Sequence, residues 1–203
     1  QVFKSVSVDR ITASISAQKP IHRQHSRRTG VVALDRTDIE RLLALLNDEL
    51  TEQGITGEIY LVGGAVMCLA YNARASTKDL DAYFEPTGAI RDGALRVAER
   101  ENYPADWLND AVKGYLSTDG DYEPYLDYSN LKVFVAKPEY LLAMKCLAMR
   151  LGEEFHDEED IRFLLRYLNI SSYQVALDVV QKYYPLDQIP QKTLYALEEI
   201  LEP

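Results

Sequence analysis

Residues 61–84 contain two short motifs, Leu61-Val-Gly-Gly-Ala-Val-Met67 and Thr77-Lys-Asp-Leu-Asp-Ala-Tyr-Phe84. The first motif predicts a buried strand that stops at a glycine pair and is followed by a helix. The second motif predicts another strand, because apolar and polar residues alternate through it. Together they indicate that this half of the chain mixes strands and helices, with one helix between the two strands.

Asp79 and Asp81 occupy alternate positions of the second predicted strand, so their side chains project from the same face. Their backbones are about 7 Å apart at the usual rise of a strand. Two neighbouring carboxylates repel each other unless a cation lies between them, and Mg²⁺ is commonly held by one or two carboxylates together with substrate phosphates. The pair therefore indicates a metal site, with two solvated acids at a strand edge as the alternative.

Gly63 and Gly64 suit a phosphate-binding turn. Glycines let the backbone approach a phosphate closely, and the first turn of the following helix offers free amides. The alternative is a tight turn that merely needs a positive φ. The two motifs support each other, since a phosphate cradle is followed fifteen residues after Gly64 by the predicted metal-binding strand.

The charge balance argues against a general nucleic-acid coat protein. The 203 residues include 22 Lys and Arg against 32 Asp and Glu, and the resulting acidic surface repels phosphate backbones. Residues 19–28 are the exception, with four cations and two histidines. They predict a basic arm, residues 1–34, that contacts a polyanion or the protein's own acidic face, or else is a solvated terminus.

The two cysteines are isolated, and no apolar run reaches the length needed to cross a membrane. The chain also begins without a signal-peptide pattern. These features predict a reduced, cytoplasmic protein with no membrane partner.

Hydrophobic periodicity predicts an α+β front half and a helical rear half. A helix is expected to begin at Thr37, because Thr37 and Glu40 have capping-box spacing. Further helices are predicted at residues 65–71, 90–98, 139–151, 158–168, 172–183 and 191–201, and strands at 58–62, 80–84 and 131–135. We predict an α/β core at residues 35–137 and a C-terminal helical bundle at 138–203. Trp107 is expected in the core.

Lys145 is the only charge in the apolar segment from Tyr140 to Met149. Its neighbours at helical spacing are apolar, and a buried ammonium group is costly without an anionic partner. One interpretation is a lysine whose stem packs while its head reaches water. The other is a functional cation that binds phosphate.

Asp160 lies four residues before Leu164, beside the apolar stripe of its predicted helix rather than on the outer face. Acids are common in the first turn of a helix, so Asp157 and Asp160 are also compatible with ordinary capping. We favour Asp160 as a site residue and keep Asp157 in reserve.

The glycine pair and the Asp-x-Asp strand resemble the signature of the polymerase-β-type nucleotidyltransferase superfamily. Trp107–Val112 and Pro138–Lys145 also resemble its minimal prokaryotic branch, which is related to the AbiEii-type toxins, so the resemblance covers roughly residues 57–168. It implies a short mixed sheet flanked by helices, with a nucleoside triphosphate on the glycine turn and Mg²⁺, or Mn²⁺ in its place, on Asp79 and Asp81. It also implies that Lys145 binds the triphosphate and that Asp160 belongs to the active site.

One departure concerns the third carboxylate that the superfamily usually carries on a neighbouring strand. The predicted strand at 131–135 contains no acid, and Asp127 lies just before it. Either Asp160 substitutes for the missing acid, or the protein is a catalytically degenerate relative.

The resemblance thus implies transfer of a nucleoside monophosphate from a nucleoside triphosphate to a hydroxyl acceptor, which is RNA such as tRNA, a protein or a small molecule. Arg74 and Lys78 flank the Asp-x-Asp strand and are expected to help neutralise phosphates, or else to be solvated. The alternative function is a nucleotide- or partner-binding component of a toxin–antitoxin-type system, with a cognate antitoxin-like protein as its partner.

Overall fold

The computed structural model describes residues 33–150 and 156–202. The predicted basic arm therefore lies outside the described residues, apart from its last two positions. The strands of the described part are β1 (Leu34–Asp35), β2 (Gly57–Leu61), β3 (Ser76–Thr77), β4 (Leu80–Glu85), β5 (Leu108–Asn109), β6 (Tyr122–Asp127) and β7 (Leu131–Ala136). Five of them form a mixed sheet in the order β5-β4-β2-β7-β6, and β1 pairs with β3 in a separate ladder.

The described residues contain seven α-helices. They are α1 (Arg36–Glu52), α2 (Gly63–Leu69), α3 (Thr87–Glu101), α4 (Pro138–Ala148), α5 (Asp157–Tyr167), α6 (Tyr173–Gln181) and α7 (Gln191–Leu201). Short 3-10 segments occur at Ala111–Tyr115 and Leu186–Gln188. The predicted α+β class is confirmed by this arrangement. None of these helices has the length and apolar character needed to cross a membrane.

Helix α1 forms where its apolar period predicts, but its cap differs from the expected one. Asp35 accepts a hydrogen bond from the amide of Asp38, and the Asp38 side chain accepts one from the amide of Asp35. This reciprocal pair replaces the predicted pair of Thr37 and Glu40, because Asp at the N-cap competes well with Thr. The apolar stripe from Ile39 to Leu50 is buried and packs on α3.

The two motifs lie at the same end of the sheet because β2 and β4 are antiparallel. Leu61 at the end of β2 pairs with Ala82 near the start of β4. The amide of Val62 then donates to the carbonyl of Asp81 at 3.0 Å. The chain therefore leaves β2 and enters the glycine turn beside Asp81.

Strand β4 has the predicted alternation. Leu80, Ala82 and Phe84 are buried, whereas Asp81 and Tyr83 on the other face are partly exposed. Asp79 lies immediately before the strand rather than inside it. The face that carries Asp81 is therefore accessible from solvent, while the opposite face contributes to the core.

The C-terminal helices connect directly to the sheet through β7. Helix α4 starts at Pro138, a residue suited to the first position of a helix, and it packs against α2, α5 and α6. Helix α6 contacts α7. Trp107 is buried and its indole N–H donates to the carbonyl of Ala94 at 3.0 Å, so its predicted place in the core is confirmed. The division into a core and a separate helical bundle stays a prediction.

Candidate functional site

Gly63 and Asp81 are in direct proximity. Gly63 has a φ of 66°, a backbone conformation that L side chains rarely adopt. A Cβ built on Gly63 would lie 3.1 Å from Oδ2 of Asp81. The turn therefore needs glycine here both for its conformation and for the approach of the carboxylate. The glycine turn and Asp81 lie next to each other, as the two motifs predict.

Gly64 is required by a different contact. A Cβ at this position would lie 2.7 Å from Oγ1 of Thr77 and 3.3 Å from Nη1 of Arg74. Strand β3 and the Arg74 guanidinium thus pack against the first turn of α2. The geometry of the turn accounts for both glycines by itself, so the glycine pair alone does not identify a ligand.

Asp79 is half-buried next to a second acid. Burial raises the pKa of the Asp79 carboxyl, the negative charge of Asp81 raises it further, and the positive charge of Lys78 offsets part of the increase. Within residues 33–150 and 156–202, the side-chain carboxylates of Asp79 and Asp81 accept no hydrogen bond. The two acids therefore form a repulsive pair that a divalent cation would relieve.

Lys145 and Asp160 belong to a buried ion network. The Lys145 ammonium lies 2.7 Å from Oδ2 of Asp160 and 3.0 Å from Oδ1 of Asp157. Arg74 forms a two-pronged pair with Asp160, with 2.8 Å between Nε and Oδ1. Asp160 is only 3% exposed. Lys145 is buried except where it borders the cleft described below, and its charge is compensated by two anionic partners.

Arg150 and Asp157 extend this network toward solvent. Nε of Arg150 donates to Oδ2 of Asp157 at 2.9 Å, and the Arg150 backbone amide donates to the same oxygen at 3.2 Å. Burial acts to raise the pKa of Asp157, but the Arg150 hydrogen bond and the Lys145 charge outweigh it and hold the pKa below its ordinary value. The Arg150 side chain is 62% exposed, so the network reaches the surface of the protein at this residue.

The acids of α5 do not cap the helix. His156 is the N-cap residue and makes no capping hydrogen bond with its side chain. The carboxylates of Asp157 and Asp160 are instead bonded to Lys145, Arg74 and Arg150. Both acids lie in the first turn of α5, as the capping interpretation expects, but their side-chain hydrogen bonds within the described residues do not go to the amides of that turn.

Several of these groups line one cleft. It has a volume of about 270 Å³, and its polar wall consists of Gly63, Asp81, Lys145, Arg150 and Asp157. A carboxylate that is free to bind metal thus shares a small cavity with two cations and the glycine turn. A larger depression of about 710 Å³ lies at the other end of the sheet, around Glu58 and Glu85, and contains none of the predicted site residues.

The predicted residues fall into two groups. Gly63, Asp81 and Lys145 line the cleft, and Asp79 interacts electrostatically with Asp81. The other predicted residues adjoin the cleft. Gly64 packs against Thr77, and Arg74 bonds to Asp160. Lys78 is exposed beside Asp79.

Sequence analysis missed Arg150 and ranked Asp157 below Asp160. Asp157, rather than Asp160, is the acid of α5 that lines the cleft. Arg150 follows the end of α4 at Ala148, and no local pattern in the sequence marks it.

Asp127 does not replace the missing strand carboxylate. It pairs with Lys132, which lies opposite Glu58, and Glu58 in turn lies opposite Glu85. Asp81 precedes Glu85 by four residues, which is about 13 Å along a strand. Asp127 therefore lies at the opposite end of the sheet from the cleft.

The donor set fits a metal that takes most of its ligands from elsewhere. In the described parts of the chain there is no group of three or more His, Cys, Asp or Glu side chains that could hold a metal ion. Asp79 and Asp81 would provide two carboxylate ligands, and substrate phosphates and water would complete the shell. This is the usual mode for Mg²⁺, and Mn²⁺ accepts the same oxygen ligands.

Comparison of the chain with family models, with curated proteins and with solved structures gave no match. The resemblance to nucleotidyltransferases therefore stays an expectation from the two motifs.

Proposed function

We propose that this protein is a Mg²⁺-dependent nucleotidyltransferase that transfers a nucleoside monophosphate from a nucleoside triphosphate to a hydroxyl group and releases pyrophosphate. The observation that supports it is the shared cleft of Gly63, Asp81, Lys145 and Arg150. Phosphoryl-transfer sites need carboxylates for metal and cations for phosphate within one small cavity. The sequence predicts this combination of carboxylates, glycine turn and Lys145. The ion network adds Arg150 as a second cation.

Asp79 and Asp81 would hold the metal in this proposal. Bound there, the ion would supply the positive charge that lowers the barrier to attack at phosphorus. The chain contributes a pair of carboxylates with no competing hydrogen bonds from the described residues. Their mutual repulsion favours the metal-bound state over the free one.

Lys145 and Arg150 would bind the β- and γ-phosphates beside Gly63. Both cations are fixed by Asp157, so their positive charges are already in place before the nucleotide arrives. Asp160 bonds Lys145 and Arg74 together and so acts as a positioning residue. Asp157 takes the same positioning role for Arg150.

The acceptor hydroxyl would attack the α-phosphorus in line with the leaving pyrophosphate, and its proton would pass to a carboxylate of the site. Asp81 suits this role better than Asp160, because Asp81 lines the cleft while both oxygens of Asp160 are engaged by cations. The candidate acceptors are RNA such as tRNA, a protein hydroxyl or a small molecule.

The direct test is a transfer assay. The protein is incubated with each α-labelled nucleoside triphosphate, Mg²⁺ or Mn²⁺, and separately with total RNA, the protein fraction and the small-molecule fraction of a lysate. We expect labelled product in one fraction, and its loss in Asp81→Asn but not in Asp48→Asn, where Asp48 is an exposed acid on α1. Absence of transfer in every fraction, together with no thermal shift by any triphosphate, would contradict the proposal.

The second candidate is a nucleotide- or partner-binding component that has lost catalysis. The observation in its favour is that β7 carries no acid and that Asp127 lies at the far end of the sheet. In this case a triphosphate stabilises the protein, yet no turnover is seen with any acceptor. Co-purification with the product of an adjacent gene would then support an antitoxin-like partner.

A further inference from the structure

The cleft has an apolar end that the proposed phosphate chemistry does not use. Besides its polar groups, the cleft is lined by the 3-10 segment Ala111–Tyr115 and by the face of α4 that also carries Lys145. The side chains at this end are Ala111, Val112, Tyr115, Leu141, Met144 and Ala148. A triphosphate with its metal makes no favourable contact with an apolar surface. A ligand group that packs at this end must therefore be of a different kind.

Tyr115 is the aromatic side chain of this end, and it is 50% exposed. Its backbone is nevertheless held firmly. The buried hydroxyl of Tyr184 donates to the carbonyl of Tyr115 at 2.7 Å, and Oγ of Ser117 donates to the carbonyl of Tyr183 at 2.6 Å. The segment that carries the exposed ring is thus fastened to the chain that follows α6, and the ring is presented from a fixed position.

The size and chemistry of this end fit a nucleobase. A volume of about 270 Å³ is near the lower end of small-molecule pockets, so it suits one nucleotide rather than a polymer. A base has two apolar faces, and stacking of a base on an aromatic side chain contributes about 1–3 kcal/mol. Ala111 and Ala148 are exposed and provide further apolar surface, whereas Leu141 and Met144 are buried behind it.

The apolar end also lacks the groups needed to distinguish one base from another. Selection by base edges requires hydrogen-bond donors and acceptors at fixed positions. Among the six side chains of this end, only Tyr115 carries a hydroxyl. Stacking without edge contacts tolerates every base and is stronger for the larger ring system of purines.

We propose that Tyr115 and the apolar wall around it form a nucleobase site that accepts all four bases by stacking, with purines bound more tightly than pyrimidines. This inference rests on the proposed function, because the polar wall must first hold the triphosphate. The base of the substrate would then lie against Ala111–Tyr115 and α4.

The test compares nucleotides with a ligand that has no base. Dissociation constants are measured by calorimetry in Mg²⁺ for tripolyphosphate and for the four nucleotides whose α,β-bridging oxygen is replaced by methylene. We expect every nucleotide to bind at least about fivefold more tightly than tripolyphosphate, with a spread of about tenfold among the bases. Tyr115→Ala should weaken nucleotide binding about 5- to 150-fold and leave tripolyphosphate binding unchanged.

Two further variants complete the comparison. Tyr115→Phe should bind nucleotides like the unmodified protein, because the ring remains. Tyr195→Ala removes an exposed tyrosine on α7 and should change nothing. The four-nucleotide series on the unmodified protein needs no variant and tests the inference even if a substitution prevents folding.

The outcomes separate the two proposals. Nucleotides that bind no more tightly than tripolyphosphate overturn the base site and leave the proposed function standing. A preference above 100-fold for one base overturns recognition by stacking alone, and equal weakening of both ligand types by Tyr115→Ala overturns the role of the ring. Absence of binding by tripolyphosphate and by every nucleotide overturns the proposed function, and the base site with it.

Discussion

Gly63 shows how a single residue fixes the geometry of the cleft. Its positive φ directs the chain from β2 into α2, and its missing side chain leaves room for Oδ2 of Asp81. Gly54 at the end of α1 has almost the same φ, 65°, but no atom within 4 Å of its Cβ position. Substitutions at Gly54 and Gly63 therefore share the backbone strain, and only the one at Gly63 also disturbs the contact with Asp81.

We expect Gly54→Ala and Gly63→Ala to destabilise the protein by similar amounts, about 1–2 kcal/mol each, because both force alanine into the left-handed region. Only Gly63→Ala should also weaken Mn²⁺ binding, by about tenfold or more, since its methyl group displaces the Asp81 carboxylate. Urea unfolding gives the stabilities, and titration followed by electron paramagnetic resonance gives the metal affinity. Undiminished Mn²⁺ binding by Gly63→Ala would contradict the assignment of Asp81 as a ligand.

Asp79 gives a prediction about pH. Because burial and the charge of Asp81 raise its pKa in the folded protein, ionisation of Asp79 lowers the free energy of unfolding as the pH rises through that pKa. Asp79→Asn should therefore raise the melting temperature at pH 7 in the absence of divalent cations. The gain should shrink as the pH falls toward the ordinary pKa of an aspartate.

Melting curves of Asp79→Asn between pH 3.5 and 8 test this, with Asp48→Asn as the control for loss of one negative charge. A gain that does not change with pH would show that removal of charge repulsion is not its cause. A lower melting temperature at pH 7 would contradict the prediction outright.

At the scale of elements, the ion network joins the segment before β3 and helices α4 and α5. Lys145 contributes from α4, Asp157 and Asp160 contribute from α5, and Arg74 precedes β3. Buried ions are costly unless every one is paired. The network therefore makes the position of α5 depend on the same lysine that lines the cleft.

Lys145→Met should destabilise the protein by about 1.5–3 kcal/mol, because two buried carboxylates lose their shared cation while Asp160 keeps Arg74 and Asp157 keeps Arg150. Arg162→Met is the matched control, since Arg162 pairs with Glu158 on the exposed side of α5. It should cost only about 0.3–0.5 kcal/mol. Chemical denaturation measures both, and equal effects of the two substitutions would show that the buried network contributes little.

The elements that periodicity predicts are those long enough to show a period. Helix α1 and strands β2, β4 and β7 lie close to their expected positions. Strand β6 escaped prediction because Pro124 and a bulge interrupt it, features that an edge strand tolerates. β1, β3 and β5 have two residues each, which is too short for any alternation to be recognised.

The site was predictable only where its residues form local motifs. Gly63 and Asp81 are predictable because spacing within one turn or strand fixes their direction, and Asp79 is predictable because it immediately precedes the same strand. Lys145 is visible as a charge on an apolar face, but its partners Asp157 and Asp160 depend on how α5 packs against α4. Arg150 depends on the same packing, and no local pattern in the sequence specifies it.

For the whole molecule, the connection of the helices to the sheet predicts how the protein unfolds. Helix α4 follows β7 directly and packs against α2, α5 and α6. Trp107, the single tryptophan, is buried under α3 and reports on the sheet side. The folding of the sheet and of the C-terminal helices should then be cooperative.

We expect tryptophan fluorescence and far-ultraviolet circular dichroism to give coincident unfolding curves in urea. A loss of helical signal at lower urea than the fluorescence change would instead support a separate helical bundle at 138–203. The Lys145→Met variant provides a comparison, because weakening the contact of α4 with α5 should move the two curves apart.

The proposed site requires two carboxylates beside a glycine turn to bind a divalent ion together with a triphosphate. A crystal grown with Mn²⁺ and an α,β-methylene nucleotide tests it most directly through the anomalous signal of manganese. We expect manganese on the carboxylates of Asp79 and Asp81, with phosphates against Gly63, Lys145 and Arg150. Manganese or triphosphate bound elsewhere, with both acids unliganded, would contradict it.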